Sequence, residues 1–198
     1  PMLPAMALAV AAPSANRYKK LSPTSCEQVL AGLQGRIDAV LDGGFCQHGV
    51  ESTIVDLTGQ TIQIVRAGPI TASQLCAVLQ QEVAQPTQHQ VKVAGNVAAH
   101  YQPNAPLICM TTAQLTERIN AATADIAVLH YSPLPQSSKV HSLPMPPSAA
   151  DYASALYRSL YLADKAQVRE IWCEQPPQGE DWLAVHDRLR RAGFNDKS

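Results

Sequence analysis

The chain has 198 residues and a formal net charge of −1, so it lacks the basic excess that is typical of a dedicated nucleic-acid-binding protein. Hydrophobic residues make up 46% of it and charged residues 16%, which excludes a disordered chain and is ample for a packed core. No apolar run reaches the length of a transmembrane helix, so we expect no membrane span.

Two short strands and a hairpin are predicted in the first part of the chain. An apolar run ends at Pro13, and β-branched runs follow further along. The tripeptide Asp42-Gly43-Gly44 is a turn signal that ends a strand, and Thr58-Gly59-Gln60 joins the last two strands as a hairpin. The predicted strands cover residues 8–12, 37–41, 50–57 and 61–66.

Two capping boxes predict helices between these strands and after them. Thr24 and Glu27 fit the first box, whose helix ends at Gly35. Thr71 and Gln74 fit the second box, which begins a helix that continues to residue 79.

The composition shifts after this second helix. Five glutamines and a proline between residues 80 and 90 predict a linker, with the first domain ending near residue 84. From residue 106 strands and helices alternate, which predicts a small α/β domain with a largely parallel sheet. The predicted strands are 107–110, 126–131, 140–143 and 168–173. The predicted helices are 112–122, 148–164 and 181–191, and Ser148 is expected to cap the second of them.

Five cysteines are spread along the chain without a CxxC or CxxH pair, so their spacing does not indicate a zinc site. An odd number of distant cysteines is typical of free thiols in a reducing compartment, and we expect a cytoplasmic protein. They are Cys26, Cys46, Cys76, Cys109 and Cys173.

The loop after the first strand has the composition of an anion site. In Pro13-Ser14-Ala15-Asn16, small residues allow close approach, while a hydroxyl and an amide can donate to phosphate oxygens. Arg17, Lys19 and Lys20 supply countercharge, and Ser22 is expected at a helix N-cap, where anions are favoured. The alternative is a surface connector with a solvated basic tip.

The hairpin carries the remaining candidates. Ser52 and Thr53 point to opposite faces of a strand, so one faces the cleft. Glu51 and Asp56 also lie on opposite faces and cannot act as paired carboxylates. Arg66 ends a strand before a turn and a helix, where it can bind phosphate in bidentate fashion. The alternatives are strand residues chosen for propensity and a surface arginine.

We assign structural and not catalytic roles to the other candidate side chains. His48 and His100 each fit a hydrogen-bonded or solvated histidine better than a catalytic base. The helix at 148–164 carries Tyr152, Tyr157 and Tyr161 beside leucines, which indicates a packing stripe and not a stacking platform. No catalytic residue is assigned.

Three segments resemble motifs of a known family, the L-threonylcarbamoyladenylate synthases (YrdC-like). AAPSANRYKKLSPT, GVESTIVDL and IVRAGPIT are similar to the family's PSANxSGxxSPT, GxESTIVD and LRPG patterns, in the same order and spacing. VAGNVAAHYQPNAP is similar to the HYxP linker of the longer members. The resemblance covers the whole chain and implies an N-terminally truncated, longer-form member.

The fold that this resemblance implies is α/β. It consists of the C-terminal half of a YrdC-like twisted α/β catalytic domain (1–84), a linker (85–105) and a small Rossmann-like α/β accessory domain (106–198). Tyr18-Lys19 replaces the family's Ser-Gly, Ala67 replaces its proline and Ala94-Gly95-Asn96 replaces Pro-Gly-Met, so the loop is expected to be stiffer and more basic.

The family implies a nucleotidyltransferase that forms threonylcarbamoyl-AMP and pyrophosphate from L-threonine, bicarbonate and ATP, with Mg²⁺ accompanying ATP. The product serves tRNA threonylcarbamoyladenosine modification through downstream partner proteins. Direct binding of tRNA or double-stranded RNA is only weakly indicated, and no membrane partner or dedicated metal site is expected. The implied ligands of ATP are Ser14, Asn16, Ser22, Arg66 and Tyr101, and the implied ligand of threonine is Ser52.

Two alternatives remain open at this point. One is a carbamoyl-adenylate-forming module, as in hydrogenase maturation proteins, against which the linker and the C-terminal domain speak. The other is a noncatalytic RNA-binding module, against which the near-neutral charge speaks. The chain alone is expected to be inactive, because the Lys- and Arg-bearing motifs of the family's first half are absent.

Overall fold

A computed structural model describes residues 11–85 and 100–194, which form two groups of elements. The first group contains α1 (Cys26–Leu33), β1 (Ile54–Asp56), β2 (Gln63–Arg66) and α2 (Ala72–Leu79). The second contains β3 (Leu107–Met110), α3 (Thr112–Asn120), β4 (Ile126–His130), β5 (Val140–Pro144), α4 (Ala149–Lys165), β6 (Glu170–Glu174) and α5 (Leu183–Ala192), with a 3₁₀ turn at Glu180–Trp182 before α5. The predicted α/β class is confirmed.

The second group is built on a four-stranded sheet in which every neighbouring pair of strands is parallel, in the order β3-β6-β4-β5. Helix α3 connects β3 to β4 and helix α4 connects β5 to β6, whereas the parallel neighbours β4 and β5 are joined by residues 131–139 without a helix. Residues 126–129 of β4 are completely buried, which is expected for an interior parallel strand covered on both faces. The predicted parallel sheet is therefore confirmed.

The sheet separates two apolar clusters. On one face, Leu115 and Ile119 of α3 pack against strand residues that include Trp172. On the other face, Leu160 of α4 and Leu189 of α5 pack in a larger cluster that also contains Val50 and Tyr101. Because that cluster includes residues from before β3, the core of the second group extends into the first.

The N-cap of α1 lies one residue later in the sequence than predicted. Ser25 is the N-cap of α1, and its side chain accepts from the Gln28 amide, whereas the Thr24 amide and hydroxyl both donate to the Gln28 side chain. The predictions of a Thr24–Glu27 box and of Ser22 as an N-cap were wrong. The Ser22 hydroxyl is instead committed to Glu51.

The capping box of Thr71 and Gln74 is confirmed, since both reciprocal bonds are present at the start of α2. Ser148 caps α4 as predicted. Gly35 lies just beyond α1 in the left-handed region at φ 78°, where glycine is favoured.

The hairpin is confirmed, with β1 antiparallel to β2 and shorter than predicted. The strand predicted at 37–41 is wrong: this segment forms no ladder in the described parts of the chain, and Leu41 is 75% exposed. An apolar alternation without a partner strand leaves backbone groups to water. The turn after it does form, since Gly44 donates to the Asp42 carboxylate at 2.9 Å. The strand predicted at 8–12 lies largely outside the described residues, and residues 11 and 12 are not in a strand.

Candidate functional site

Two glycines hold residues 49–53 between helix α4 and the turn after β2. A Cβ on Gly49 would lie 2.2 Å from the carbonyl oxygen of Ser154, and a Cβ on Gly68 would lie 2.2 Å from the amide nitrogen of Thr53. Both distances are far below van der Waals contact, so neither position accepts a side chain without movement of the backbone. The close approach fixes the position of the segment that carries the ESTIVD motif.

Glu51 lies at the centre of this segment and accepts hydrogen bonds from three parts of the chain. The Ser22 hydroxyl donates to its Oε1 at 2.7 Å, and the Tyr157 hydroxyl of α4 donates to its Oε2 at 3.1 Å. Arg188 of α5 donates from Nε to the same Oε2 at 2.8 Å. The Glu51 side chain is 18% exposed and that of Arg188 is 0% exposed, so the ion pair is shielded from water.

The surroundings keep Glu51 ionised. Burial opposes its charge, but the Arg188 guanidinium and the hydrogen bonds from Ser22 and Arg188 outweigh burial and hold the pKa of Glu51 below its usual value. Burial, followed by the Glu51 charge, raises the pKa of Tyr157 well above its usual value. Glu51 therefore acts as an acceptor and Tyr157 as a donor.

Arg66, at the end of β2, holds Ser52. Its Nε donates to the Ser52 carbonyl oxygen at 3.0 Å, and its Nη2 donates to the Ser52 hydroxyl at 3.2 Å. Burial, together with repulsion from Arg188, lowers the pKa of Arg66, although an arginine stays protonated in proteins. A half-buried guanidinium beside a hydroxyl is chemically suited to an anionic ligand.

Tyr101 covers the other side of the same group. Its ring is stacked on Tyr157 at 5.4 Å between centroids, and the Arg188 guanidinium lies 5.3 Å from its centroid. Tyr101 is 2% exposed and has φ of 60°, which is uncommon for a residue other than glycine. This packing maintains the left-handed conformation at the HYxP-like motif.

His100 precedes Tyr101 and contacts its ring at 4.1 Å between centroids. Its Nδ1 is buried without a hydrogen-bond partner in the described parts of the chain. Burial lowers the pKa of His100, and the nearby Arg191, Arg188 and Arg66 charges add to this effect against the opposing charge of Glu51. The surroundings of His100 therefore favour its neutral form over the imidazolium.

The 13–20 loop lies beside this group. The Asn16 side chain donates to the carbonyl oxygens of Arg17 and Lys20 at 3.0 Å each, and its Oδ1 is buried without a partner among the described residues. The loop pairs with the HYxP-like segment, since the Gln102 amide donates to the Lys19 carbonyl at 2.9 Å. Lys19 has φ of 65°, so this basic tip has a defined conformation.

A cavity of about 200 Å³ opens between the loop, α1 and α4, and its lining includes Asn16, Arg17 and Lys20. Ser14 is exposed, and no hydrogen bond in the described parts of the chain joins it to Glu51 or its neighbours. Among the implied ligands of ATP and threonine, contacts therefore connect Ser22, Ser52 and Arg66 through Glu51 and its neighbours. Ser14 is not connected to them in this way.

The connected residues form one unit, called here the Glu51 cluster. It contains Ser22, Glu51, Ser52, Arg66, Tyr101, Tyr157 and Arg188. The cluster brings hydroxyls, two guanidiniums and two aromatic rings together around a single carboxylate, an arrangement that can orient a polar, anionic ligand.

Sequence reasoning missed three members of the cluster. The sequence pattern led us to consider Glu51 only in relation to Asp56, whose carboxylate instead accepts hydrogen bonds from Thr58 and Gln63. Tyr157 was placed in a packing stripe. Tyr157 is buried as predicted, but its hydroxyl also serves the site. Arg188 had a visible signal, because it falls on the apolar face of α5 beside Val185 and Leu189.

Comparisons with known proteins identify the family to which the chain belongs. A family model described as "Threonylcarbamoyl-AMP synthase, C-terminal domain" matches residues 70–193, and one described as "Telomere recombination" matches residues 2–68. The chain belongs to the threonylcarbamoyl-AMP synthase family, as the sequence motifs predicted.

Relatives and solved structures extend the similarity over most of the chain. The threonylcarbamoyl-AMP synthase of Bacillus subtilis is 31% identical over 93% of this chain, and that of Pyrococcus abyssi is 26% identical over 92%. The crystal structure of P. abyssi Sua5 complexed with L-threonine superposes with a TM-score of 0.81 at 27% identity, covering 97% of this chain and 60% of that one. The chain spans 57% of the length of each of these two relatives.

Proposed function

We propose that this chain supplies the C-terminal part of an L-threonylcarbamoyladenylate synthase, a nucleotidyltransferase that forms threonylcarbamoyl-AMP and pyrophosphate from L-threonine, bicarbonate and ATP. The observation that carries the proposal is the Glu51 cluster, in which Ser22, Ser52, Arg66 and Tyr101 meet. Family membership and the threonine complex of the P. abyssi protein support it. The product would serve tRNA modification by partner proteins downstream.

The individual roles proposed are those that the family resemblance implies, and the chemistry of each side chain suits its role. Arg66 would bind ATP phosphates, with Ser14, Asn16 and Ser22 contributing polar contacts to the nucleotide. Tyr101 would close over the nucleotide. Ser52 would hold threonine, and its contact with Arg66 places the two proposed ligand groups side by side.

These residues suit adenylyl transfer because that reaction depends on positioning and charge neutralisation, and no covalent nucleophile is required. Among the described residues there is no group of three His, Cys, Asp or Glu side chains able to hold a metal ion. Mg²⁺ bound through the phosphates of ATP needs no such group, so we propose that it enters with ATP.

We also propose the division into residues 1–84, a linker 85–105 and a domain from 106 to 198. Its support is that the two sheets of the described parts share no ladder. A cytoplasmic location is proposed because all five cysteines are free thiols. None of the helices in the described ranges has the length and apolar character needed to cross a membrane.

Arg66→Ala tests the nucleotide site in an enzyme completed with the N-terminal part that the relatives carry. Loss of a charge-assisted bond to phosphate is expected to weaken ATP binding by about 10- to 100-fold, from roughly 1.5–3 kcal/mol. Isothermal titration with ATP measures it, and Arg36→Ala, at an exposed position, is the control. Unchanged affinity in Arg66→Ala would contradict the proposed role.

The 198-residue chain alone is proposed to be inactive. Within residues 11–85 and 100–194, nine of the twelve large apolar side chains that are exposed lie between Tyr18 and Leu79, which supports a missing covering surface on that side. Threonine-dependent pyrophosphate release from the purified chain would overturn this expectation. If the completed enzyme required carbamoyl phosphate in place of threonine, or bound RNA with a steep salt dependence and no ATP, the proposed reaction would be wrong.

A further inference from the structure

We propose that Arg188 in α5 is a positioning residue for the candidate nucleotide and threonine site, acting through Glu51 on Ser22 and on the main chain at residues 51–52. The inference rests on the proposed function for what the site binds. It assigns the C-terminal α/β domain a direct part in shaping that site.

Arg188 donates hydrogen bonds through all three of its guanidinium nitrogens at the junction of the two groups of elements. Its Nε donates to Glu51 Oε2 at 2.8 Å, its Nη1 to Asp187 Oδ2 at 2.9 Å, and its Nη2 to the Glu51 carbonyl oxygen at 3.5 Å. Its plane also lies 5.3 Å from the centroid of Tyr101. The guanidinium thus fixes both the carboxylate and the backbone of one residue of the ESTIVD segment.

The effect passes beyond Glu51 because its carboxylate is shared. Arg188 and Tyr157 hold Oε2 of Glu51, so its Oε1 is turned toward Ser22. This oxygen accepts a hydrogen bond from the Ser22 hydroxyl at 2.7 Å. The Ser22 oxygen then offers its lone pairs, not its proton, to other donors. Arg188 at the Glu51 carbonyl and Arg66 at the Ser52 carbonyl hold successive peptide units.

Stability alone does not explain this arrangement. A buried ion pair gains little net stability over an apolar pair of similar size, because both charges lose their hydration. A buried arginine does impose one geometry, since its fork of donors is planar and rigid. The neighbouring Arg190 offers a contrast: its side chain is 61% exposed, and it forms an ion pair with the other carboxylate oxygen of Asp187.

The test uses the 198-residue chain with Arg188→Gln, and Arg190→Gln as the matched control. In this chain, carboxyl-detected NMR titration follows Glu51, and amide spectra follow residues 22 and 52. Isothermal titration measures the binding of L-threonine by the same variants of the completed enzyme. For Arg188→Gln we expect a raised pKa of Glu51, shifted resonances at residues 22 and 52, an unchanged parallel sheet, and about tenfold weaker threonine binding. Arg190→Gln is expected to change none of these.

The proposal is overturned if residues 22 and 52 respond to Arg188→Gln no more than to Arg190→Gln. It is also overturned if resonances change uniformly over the whole chain, which would mean a purely structural role. If Arg188→Gln does not fold, Arg188→Lys decides by the same criteria, because it keeps the charge but loses the fork and should give intermediate shifts. Absence of threonine binding by the unaltered completed enzyme would count against the proposed function, while the NMR measurements on the chain still decide the role of Arg188.

Discussion

Gly68→Ala is the sharpest test of how the site segment is held. The new Cβ would lie 2.2 Å from the Thr53 nitrogen, 2.6 Å from the Ser52 carbonyl carbon and 2.8 Å from the Glu51 carbonyl oxygen. All three atoms are main-chain atoms, so no flexible side chain can turn away to relieve the clash. Either the turn after β2 or the 51–53 segment must move.

The expected cost combines two effects. Overpacking of a close contact costs about 1–3 kcal/mol, and an all-backbone clash belongs at the upper end. Replacing glycine by alanine returns about 0.4–1 kcal/mol by restricting the unfolded chain. The net loss in free energy of unfolding is therefore about 2 kcal/mol, or roughly a 30-fold change in the folded-to-unfolded ratio.

Urea unfolding followed by circular dichroism measures this loss, with Gly59→Ala in the hairpin turn as the control. A Cβ on Gly59 would meet nothing closer than 3.9 Å, so that variant should match or slightly exceed the unaltered chain in stability. Equal stability of the two variants would refute the claim that Gly68 is required for backbone approach.

Three further outcomes are expected. Gly49→Ala should lose about 2 kcal/mol because its Cβ meets the Ser154 carbonyl, whereas Gly43→Ala, with nothing within 4 Å, should not; urea titration of both compares them. Glu51→Gln should lose most stability relative to the unaltered chain near pH 7, and that difference should shrink as the pH falls below about 4.5 through the lowered folded-state pKa of Glu51; a pH-independent difference would contradict the ion pair. The unaltered chain should lose stability as the pH falls below about 6.5, because folding lowers the pKa of His100 and the unfolded state therefore takes up the proton first. The His100→Gln variant has no such group and should not show this loss. Identical pH profiles of thermal unfolding for the two proteins would refute this.

Local signals in the sequence determined much of the architecture. The Thr71–Gln74 box, the Ser148 cap and the hairpin depend on residues within a few positions of each other, and all three are present. The parallel sheet was also predictable, since uninterrupted apolar runs such as residues 126–129 are typical of strands covered on both faces. Segment order and spacing were enough to indicate the family.

Only the tertiary structure decided which side chains meet. Ser22 was expected to cap a helix by accepting from its first N–H groups, but its hydroxyl instead donates to Glu51, which lies 29 residues away in the sequence. Arg188 lies 137 residues from Glu51, and no periodic pattern relates positions so far apart. Secondary-structure propensity depends on a residue and its neighbours in the sequence. The position of a buried charge depends instead on a partner that only the folded structure brings close to it.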